Sequence, residues 1–268
     1  MPESKVVLIT GASSGFGKDA AALFANRGYK TYGTSRRPQS DRDGKVKMLA
    51  LEVDSDESVA ACVASLLGLE GRIDVLVNNA GTALTGGIEE TSMEEAKAHL
   101  ETNFFGAVRV TKAVLPTMRN QKSGRIINVG SIAAKMPVPF EGYYAVGKAA
   151  LLAFSDALRL EVKSLGISVS VVEPGFYRTN LSNQRKTTAE KIDDYDGERE
   201  RAVAQLIKDF DAGPEPSAVA LQILKVAQAP RPRLEYIVGR EKRYVTLKKF
   251  VSPSMFERSY RKHWKLDP

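Results

Sequence analysis

The chain has 268 residues, of which 43% are hydrophobic and 26% are charged, and its formal net charge is +7. The length allows one large α/β domain or two small ones, and no apolar run approaches the roughly 18–20 residues that span a membrane. One cysteine, Cys62, excludes an internal disulfide, and the two distant histidines, His99 and His263, predict no metal site. The first residues lack the pattern of a signal peptide, so we expect a cytoplasmic protein.

The positive charge is concentrated near the C-terminus. Residues 231–268 hold eleven Lys or Arg and four Asp or Glu, a net of +7, whereas residues 1–230 hold twenty-eight of each. A nucleic-acid-binding domain would carry a basic face on the fold itself, so we expect no nucleic-acid partner.

Short runs rich in β-branched residues alternate with helical patterns. Several runs are almost continuously apolar, as is typical of strands covered on both faces. The alternation predicts an α/β fold with a doubly wound sheet of about seven parallel strands, which binds ligands beyond the carboxyl ends of its strands. The predicted strands are residues 5–10, 30–35, 46–53, 73–79, 124–130, 167–174 and 234–239.

Five longer segments predict helices. The first and fourth stop at Gly28 and Gly166, each a suitable residue to follow a helix end. The third opens with Ser92 and Glu95, which have capping-box spacing. The predicted helices are residues 15–27, 56–67, 92–118, 143–165 and 216–229.

The first predicted strand leads into the glycine-rich segment TGASSGFG, residues 10–17. Glycines let a backbone turn tightly beside a pyrophosphate, and the N-terminus of the following helix offers free N–H groups. We expect this loop to bind a dinucleotide.

The second predicted strand ends in Ser35, Arg36 and Arg37. An NAD-binding enzyme usually places an acidic residue near Ser35 to hold the ribose hydroxyls. A neutral serine followed by two guanidinium groups favours a 2′-phosphate, and therefore NADP, over NAD. The alternative is a solvated basic loop.

The third and fourth predicted strands also end in polar residues. Asp54 either accepts a hydrogen bond from an adenine amino group or helps to cap the next helix, and the two roles are compatible. Asn78 is placed to bond backbone where strands separate, and Gly81 lets a ligand lie close.

Further polar residues follow at the later strand ends. Ser131 ends the fifth strand, and Asn103 lies in an otherwise apolar helix, where it needs hydrogen-bond partners. Tyr144 and Lys148 are four residues apart and share a helix face. The turn at residues 173–179, EPGFYRT, follows the sixth strand.

In this order and spacing, TGASSGFG, NNAG, Asn103, Ser131, YAVGK and PGFYRT resemble the short-chain dehydrogenase/reductase family. The resemblance covers about residues 5–180 closely, and the segment around Ser131 and Tyr144 is similar to the hydroxysteroid and retinol dehydrogenase branch. It implies a single Rossmann-type domain that transfers hydride between a nicotinamide and a carbonyl or alcohol carbon. The family often has a serine before the lysine; here Gly147 stands there, at some cost in helix stability.

The resemblance also implies roles for individual residues. Tyr144 is then the general acid in reduction and the base in oxidation, with its pKa lowered by Lys148. Ser131 holds the substrate oxygen, and Asn103 positions a proton-relaying water. The implied cofactor-binding residues are Gly11, Ser13, Ser14, Gly15, Phe16, Gly17, Arg36, Arg37, Asp54, Asn78, Gly81, Tyr144, Lys148, Pro174, Gly175, Phe176 and Thr179.

The substrate region is predicted less sharply. Its mostly apolar side chains favour a lipophilic ketone, aldehyde or secondary alcohol, although some of them could simply pack the core. Residues 181–213 are polar and predicted to be helical, and form a substrate lid. The predicted substrate contacts are Ser131, Met136, Val138, Phe140, Tyr143, Tyr144 and Phe176.

We divide the chain into a Rossmann-type domain, residues 1–240, and a basic amphipathic extension, residues 241–268. Phe256, Tyr260 and Trp264 are spaced four apart and form an aromatic stripe on a predicted helix. Three alternatives remain open for this stripe: packing on the body or a partner subunit, contact with an anionic membrane surface, or loose order.

Rival functions are a cofactor-binding regulator without turnover, an NAD-dependent alcohol dehydrogenase, and an isomerase or dehydratase of the epimerase branch. The last typically shows a TGxxGxxG loop, which this chain lacks. The family resemblance also implies a homodimer or homotetramer, with helices 92–118 and 143–165 at the contact.

Overall fold

A seven-stranded parallel sheet forms the centre of the protein in a computed structural model that describes residues 4–39, 44–179 and 185–266. The main sheet has the order β3–β2–β1–β4–β6–β7–β9, and β5 pairs with β8 in a separate small sheet. The strands are β1 (Val6–Ile9), β2 (Lys30–Ser35), β3 (Val46–Ala50), β4 (Val75–Asn78), β5 (Leu84–Thr85), β6 (Gly124–Val129), β7 (Ile167–Pro174), β8 (Lys186–Thr187) and β9 (Glu235–Val238). The seven predicted strands are those of the main sheet, which confirms the doubly wound parallel fold.

Helices cover both faces of this sheet. Gly28 and Gly166 adopt left-handed φ angles of 80° and 75°, and the Ser92–Glu95 capping box is formed, as predicted. The helices are α1 (Gly15–Asn26), α2 (Asp56–Glu70), α3 (Met93–Leu100), α4 (Gly106–Gln121), α5 (Gly142–Val162), α6 (Asp196–Asp211), α7 (Ser217–Gln228), α8 (Lys242–Leu247) and α9 (Pro253–His263).

The helix predicted at 92–118 is not continuous. One π-helical turn, Glu101–Phe105, separates α3 from α4. The side-chain amide of Asn103 donates to the His99 carbonyl at 3.0 Å, the acceptor that the Asn103 N–H would use in an uninterrupted α-helix. Single π-helical turns often mark functional sites, and this one carries Asn103.

The core consists of two apolar layers, one on each face of the main sheet. Val7 and Ile9 of β1 face α1 and α7, while Val6 and Leu8 face α2, α4 and α5. This alternation follows from the two-residue period of a strand, and all four side chains are fully buried. Because burying such a side chain stabilises the fold by about 1.5–3 kcal/mol, the sheet holds its carboxyl edge rigidly.

The C-terminal segment packs on the body of the protein. Trp264 is 1% exposed in a third apolar cluster with Val138 and Leu206, and the Tyr260 hydroxyl donates to the Met136 carbonyl at 3.2 Å. The aromatic stripe of α9 therefore packs on the body of the protein, which belongs to the first of the three alternatives. Among the described residues, no helix has the length and apolar character to cross a membrane.

The predicted lid begins outside the described residues, which omit 180–184. From residue 185 onward it contains β8, a short turn and α6. Buried Glu90 accepts hydrogen bonds from the Gly87 and Ile192 backbone N–H groups and forms an ion pair with Arg199 of α6. The pairing of β8 with β5 adds to the bonds made by Glu90, so the lid is attached to the segment that follows β4.

Candidate active site

A cleft of about 520 Å³ opens at the carboxyl edge of the main sheet. The chain adds β2 and β3 on one side of β1, and then β4 and the later strands on the other side. Doubly wound folds bind nucleotides at this change of direction, between β1 and β4. Twelve of the predicted cofactor or catalytic residues line it: Gly11, Ser13, Ser14, Gly15, Phe16, Arg36, Asp54, Gly81, Asn103, Tyr144, Lys148 and Thr179.

The glycine loop is held against the end of β4. Gly11 has a φ of +66°, and a Cβ there would lie 2.9 Å from the Ala80 backbone. A Cβ on Gly17 would overlap the Asn79 side chain and the Gly11 carbonyl. Asn79 fixes the loop by donating from Nδ2 to the carbonyls of Thr10 and Gly11. The sequence analysis missed Asn79, although it belongs to the NNAG motif.

The N-terminus of α1 opens onto the cleft. The helix begins at Gly15, and its first backbone N–H groups have no partners within the helix. Together with the helix dipole they favour an anion such as a pyrophosphate.

The end of β2 carries an unsatisfied polar atom. The Ser35 hydroxyl is buried in the cleft wall without a hydrogen-bond partner among the described residues. Arg36 also lines the cleft, whereas exposed Arg37 does not. A hydroxyl in this state requires a ligand or water partner, and it fits the ribose phosphate end of a nucleotide.

Asp54 and Asn78 occupy different environments. Asp54 lines the cleft and accepts a hydrogen bond from the Thr102 hydroxyl at 2.7 Å, while Ser55 caps α2. Asn78 lies in the interior and donates to Thr111 and Asn128, both at 2.9 Å. Asn78 thus holds β4 to β6 and α4, and is not part of the cleft wall.

Tyr144 and Lys148 point to one site from successive turns of α5. The Lys148 ammonium donates to the Val129 carbonyl at 2.9 Å and lies 5.7 Å from the centre of the Tyr144 ring. Burial lowers the pKa of Lys148 to about 8. Burial raises the pKa of Tyr144, and a hydrogen bond with Ser131 acts in the opposite direction. Burial is the larger of these two influences, and the lowering of the Tyr144 pKa by Lys148 stays a prediction.

Asn103 organises the floor of the cleft beside this pair. Its Oδ1 accepts from the Thr82 N–H at 3.2 Å, and its Nδ2 donates to the Thr82 hydroxyl at 3.1 Å. A Cβ on Gly81 would lie 2.7 Å from Asn103 Oδ1 and 3.9 Å from Lys148 Nζ. Close approach at this point therefore requires glycine.

His99 is a cleft residue that the sequence analysis considered only as a metal ligand. It is 5% exposed, its Nδ1 lies 3.4 Å from the Thr82 hydroxyl, and its ring centre is 6.1 Å from that of Tyr144. Burial, with smaller contributions from Lys148 and Lys186, lowers its pKa to about 4, so the ring is neutral at pH 7. Its spacing of four from Asn103 was the signal that could have placed it.

Six of the seven predicted substrate residues do not line the cleft wall; Ser131, which begins the short helical turn after β6, is one of them. The rings of Phe176 and Trp264 lie 6.2 Å apart in the third cluster, which also holds Val138. Phe140 faces Tyr195 of the lid. Their contact with substrate stays a prediction, as does that of Met136 and Tyr143. Leu84, Glu95, Lys186 and Thr187 line this side of the cleft instead.

Residues 5–190 match the sequence profile described as short chain dehydrogenase. The chain belongs to the short-chain dehydrogenase/reductase family. It is 38% identical over 239 residues to the 3-ketodihydrosphingosine reductase of Bacteroides thetaiotaomicron, an alignment that covers 88% of each chain. The predicted family is thereby confirmed, and with it an oxidoreductase of the kind that binds NAD or NADP and a small-molecule substrate.

Solved structures of this family superpose on most of the chain. A short-chain dehydrogenase from Streptomyces avermitilis is 32% identical, with a TM-score of 0.84, and the match covers 98% of this chain and 97% of that one. The closed form of a serine dehydrogenase complexed with NADP+ is 30% identical, with a TM-score of 0.75, and the match covers 87% and 94%.

Proposed function

We propose that this family member is an NADP(H)-dependent oxidoreductase that interconverts a ketone and a secondary alcohol on a lipophilic small molecule. The observation that carries the proposal is the convergence of Tyr144, Lys148 and Asn103 on one cleft, with Ser131 near enough to Tyr144 to lower the pKa of its hydroxyl.

The cofactor assignment follows from the wall of the cleft. The glycine loop and the N-terminus of α1 suit a pyrophosphate, and Asp54 lies where it could accept from an adenine amino group. The unsatisfied Ser35 hydroxyl and the Arg36 guanidinium favour a 2′-phosphate, because a carboxylate that would repel it is absent from these two positions. The related serine dehydrogenase is complexed with NADP+, which agrees with this choice. The other predicted cofactor-binding residues do not line the cleft wall, and their contact with the cofactor stays a prediction: Gly17, Arg37, Asn78, Pro174, Gly175 and Phe176.

The chemistry assigned to this chain is proton transfer and orientation. A bound nicotinamide supplies or accepts the hydride. In reduction Tyr144 donates its proton to the substrate oxygen, and the Ser131 hydroxyl donates a hydrogen bond to the same oxygen. The Lys148 ammonium favours the phenolate that Tyr144 leaves behind, since opposite charges in a buried site attract strongly. Asn103 holds the backbone at Thr82 and provides the polar floor for proton exchange with water.

The proposal extends to the class of substrate. The relative from Bacteroides thetaiotaomicron is named for a ketone on a long alkyl chain. We propose a substrate of the same kind, with the keto oxygen at Tyr144 and Ser131 and the chain toward the lid and the α9 cluster.

The cofactor proposal is tested by fluorescence titration with NADPH and with NADH. We expect NADPH to bind at least roughly tenfold more tightly, and the Arg36→Ala/Arg37→Ala double variant to lose that preference, because one charge-assisted contact is worth about 1.5–3 kcal/mol. Arg27→Ala, an exposed arginine at the end of α1, is the matched control. Equal or tighter binding of NADH by the wild-type protein would contradict the proposal.

The catalytic proposal is tested with 3-ketodihydrosphingosine and NADPH. Tyr144→Phe should lower turnover by roughly 10²–10⁴-fold while NADPH affinity is retained, because only the proton donor is removed. Full turnover in this variant would refute the role of Tyr144. Tight NADPH binding without turnover of this or shorter ketones would favour a regulatory protein.

We also propose that the protein assembles as a homodimer or homotetramer through α4 and α5, as is common in the family. Phe105 before α4, and Val146 and Leu160 on α5, are 47%, 50% and 73% exposed, so this region presents large apolar side chains that a second chain could cover. Light scattering should give a mass of two or four chains, and Leu160→Glu should lower it.

A further inference from the structure

A basic and apolar surface lies just after β9, outside the cleft. We call it the 240–250 patch: Arg240, Lys242, Arg243, Leu247 and Phe250 surround one open depression of about 560 Å³. Leu247 is 55% and Phe250 80% exposed, so two large apolar side chains face solvent beside three cations. Single exposed apolar residues are common, but a pair grouped with cations marks an interaction site.

The charge of the patch is only partly neutralised from within, because Glu241 forms an ion pair with Arg240 alone among its described cations. Residues 239–250 contain five Lys or Arg and one acidic residue, Glu241. Glu241 is only 4% exposed, because its carboxylate is directed inward against Gly175 and Gly239 while one oxygen accepts from Arg240 at 3.1 Å. The outer face therefore carries an excess of positive charge.

The patch is presented on an anchored element. Val245 of α8 is 6% exposed and fastens the helix to the body, and the Lys248 ammonium donates to the Lys135 carbonyl at 2.6 Å. Two residues of the aromatic stripe are engaged with the body, since Trp264 is buried and Tyr260 bonds to Met136, while the centre of the Phe256 ring lies 5.1 Å from the Lys248 ammonium. The surface left exposed is thus a different one from the stripe that the sequence indicated.

We propose that the 240–250 patch docks the protein onto an anionic phospholipid surface. Leu247 and Phe250 enter the interfacial region, and Lys242 and Arg243 lie against the headgroups. Apolar side chains flanked by cations are the usual composition of segments that lie on membranes, and anionic lipids attract each lysine or arginine. A second copy of this chain fits less well, because a symmetric contact would place two clusters of like charge face to face.

Docking through the patch has a consequence for the active site. β9 is the parallel neighbour of β7, so the chain after Val238 leaves the sheet at the same edge as the turn that follows Pro174. The patch therefore follows the edge of the sheet at which the cleft also opens, and docking would bring that edge near a lipophilic substrate dissolved in the bilayer. This consequence rests on the proposed function, whereas the docking itself does not.

The test is co-sedimentation of the full-length protein with vesicles of phosphatidylcholine alone or with added phosphatidylserine. We expect binding to the anionic vesicles only, and weaker binding as salt rises. Leu247→Ser/Phe250→Ser and, separately, Lys242→Glu/Arg243→Glu should each weaken binding by roughly tenfold or more. The matched control is Leu69→Ser/Lys225→Glu, which alters an equally exposed leucine on α2 and a lysine on α7.

Two results would overturn the proposal. The first is a failure of the wild-type protein to bind anionic vesicles at low salt, and undiminished vesicle binding by both patch variants has the same meaning. The second is a fall in molecular mass, measured by light scattering, in Leu247→Ser/Phe250→Ser. That fall would assign the patch to contact between copies of the chain. NADPH oxidation with a water-soluble ketone in the absence of lipid tests the reaction by itself, so a failure of docking and a failure of the proposed function are distinguishable.

Discussion

In the cofactor-binding half of the cleft a glycine-rich loop provides close backbone contacts, whereas the substrate-facing half is held together by ion pairs and aromatic packing. Around the glycine loop, Gly11 and Gly17 allow close contact and Asn79 bonds to two carbonyls. On the opposite side, Glu90 pairs with Arg199 and Trp264 packs on Phe176. The first arrangement is centred on one continuous segment, residues 10–17, to which Asn79 is bonded, whereas the second joins pairs of residues that are all far apart in the chain.

This difference has an energetic side. Two carbonyls of the glycine loop accept hydrogen bonds from the neutral Asn79 amide, so the loop is held without the dehydration of a charge. A buried ion pair such as Glu90–Arg199 must recover the cost of dehydrating two charges, and loss of either partner leaves the other charge uncompensated. The substrate-facing half should therefore be the more sensitive of the two to single substitutions.

The largest expected effect is at Trp264. Trp264→Ala removes a fully buried ring from the third apolar cluster and should lower the free energy of unfolding by about 3–5 kcal/mol, measured by urea titration. NADPH affinity of the folded variant should change by less than about twofold, because the described residues that pack with Trp264, among them Phe176 and Val138, do not line the cleft.

Phe256→Ala provides the comparison for that variant. Phe256 stacks on Tyr260 at 5.1 Å on the same helix but is only partly buried, so its loss should cost less. If Trp264→Ala instead reduced NADPH affinity in proportion to stability, the two halves would not be independent.

The distance along the chain between interacting residues also explains which features could be predicted from the sequence. The seven strands, the glycine loop and the Tyr144–Lys148 pair were predicted because each follows from consecutive residues with a fixed period. The aromatic stripe was recognised as a stripe, but its partner, Val138, lies more than a hundred positions away, and no local pattern indicates such a contact. The π-helical turn was missed for a related reason, since it depends on the side chain of Asn103 competing for a backbone carbonyl.

His99 lies between the two halves of the cleft, and its burial there can be tested through the pH dependence of the protein's stability. Burial lowers its pKa to about 4, whereas a histidine in the unfolded chain titrates near 6.5. Between these values the unfolded chain binds a proton that the native protein does not, so the stability contributed by neutral His99 is lost as pH falls from about 6.5 to 4. Relative to the wild-type protein, His99→Gln should therefore gain up to about 3 kcal/mol of unfolding free energy over that range.

The measurement is urea unfolding of both proteins at pH 7 and at two pH values between 6 and 4. Comparing the two proteins at each pH cancels the titration of carboxyl groups that they share. Parallel stability curves would show that His99 is not held neutral by burial, and that the floor of the cleft is open to water.

The smallest expected effect is at Gly147, which lies inside α5 one residue before Lys148. A Cβ at this position would lie 3.4 Å from Leu100 Cδ2 and 3.6 Å from Asn103 Cβ, both ordinary contact distances. Gly147→Ala should therefore raise the free energy of unfolding by about 0.5–1 kcal/mol, because alanine loses less backbone entropy in a helix. Gly106→Ala is the control, since a Cβ there would lie 2.8 Å from Val53 Cγ2 and should destabilise the protein. A stabilised Gly147→Ala with unchanged turnover would show that the glycine is not required for the chemistry of its neighbour. A stabilised variant with reduced turnover would show that the space between α5 and Asn103 is itself part of the site.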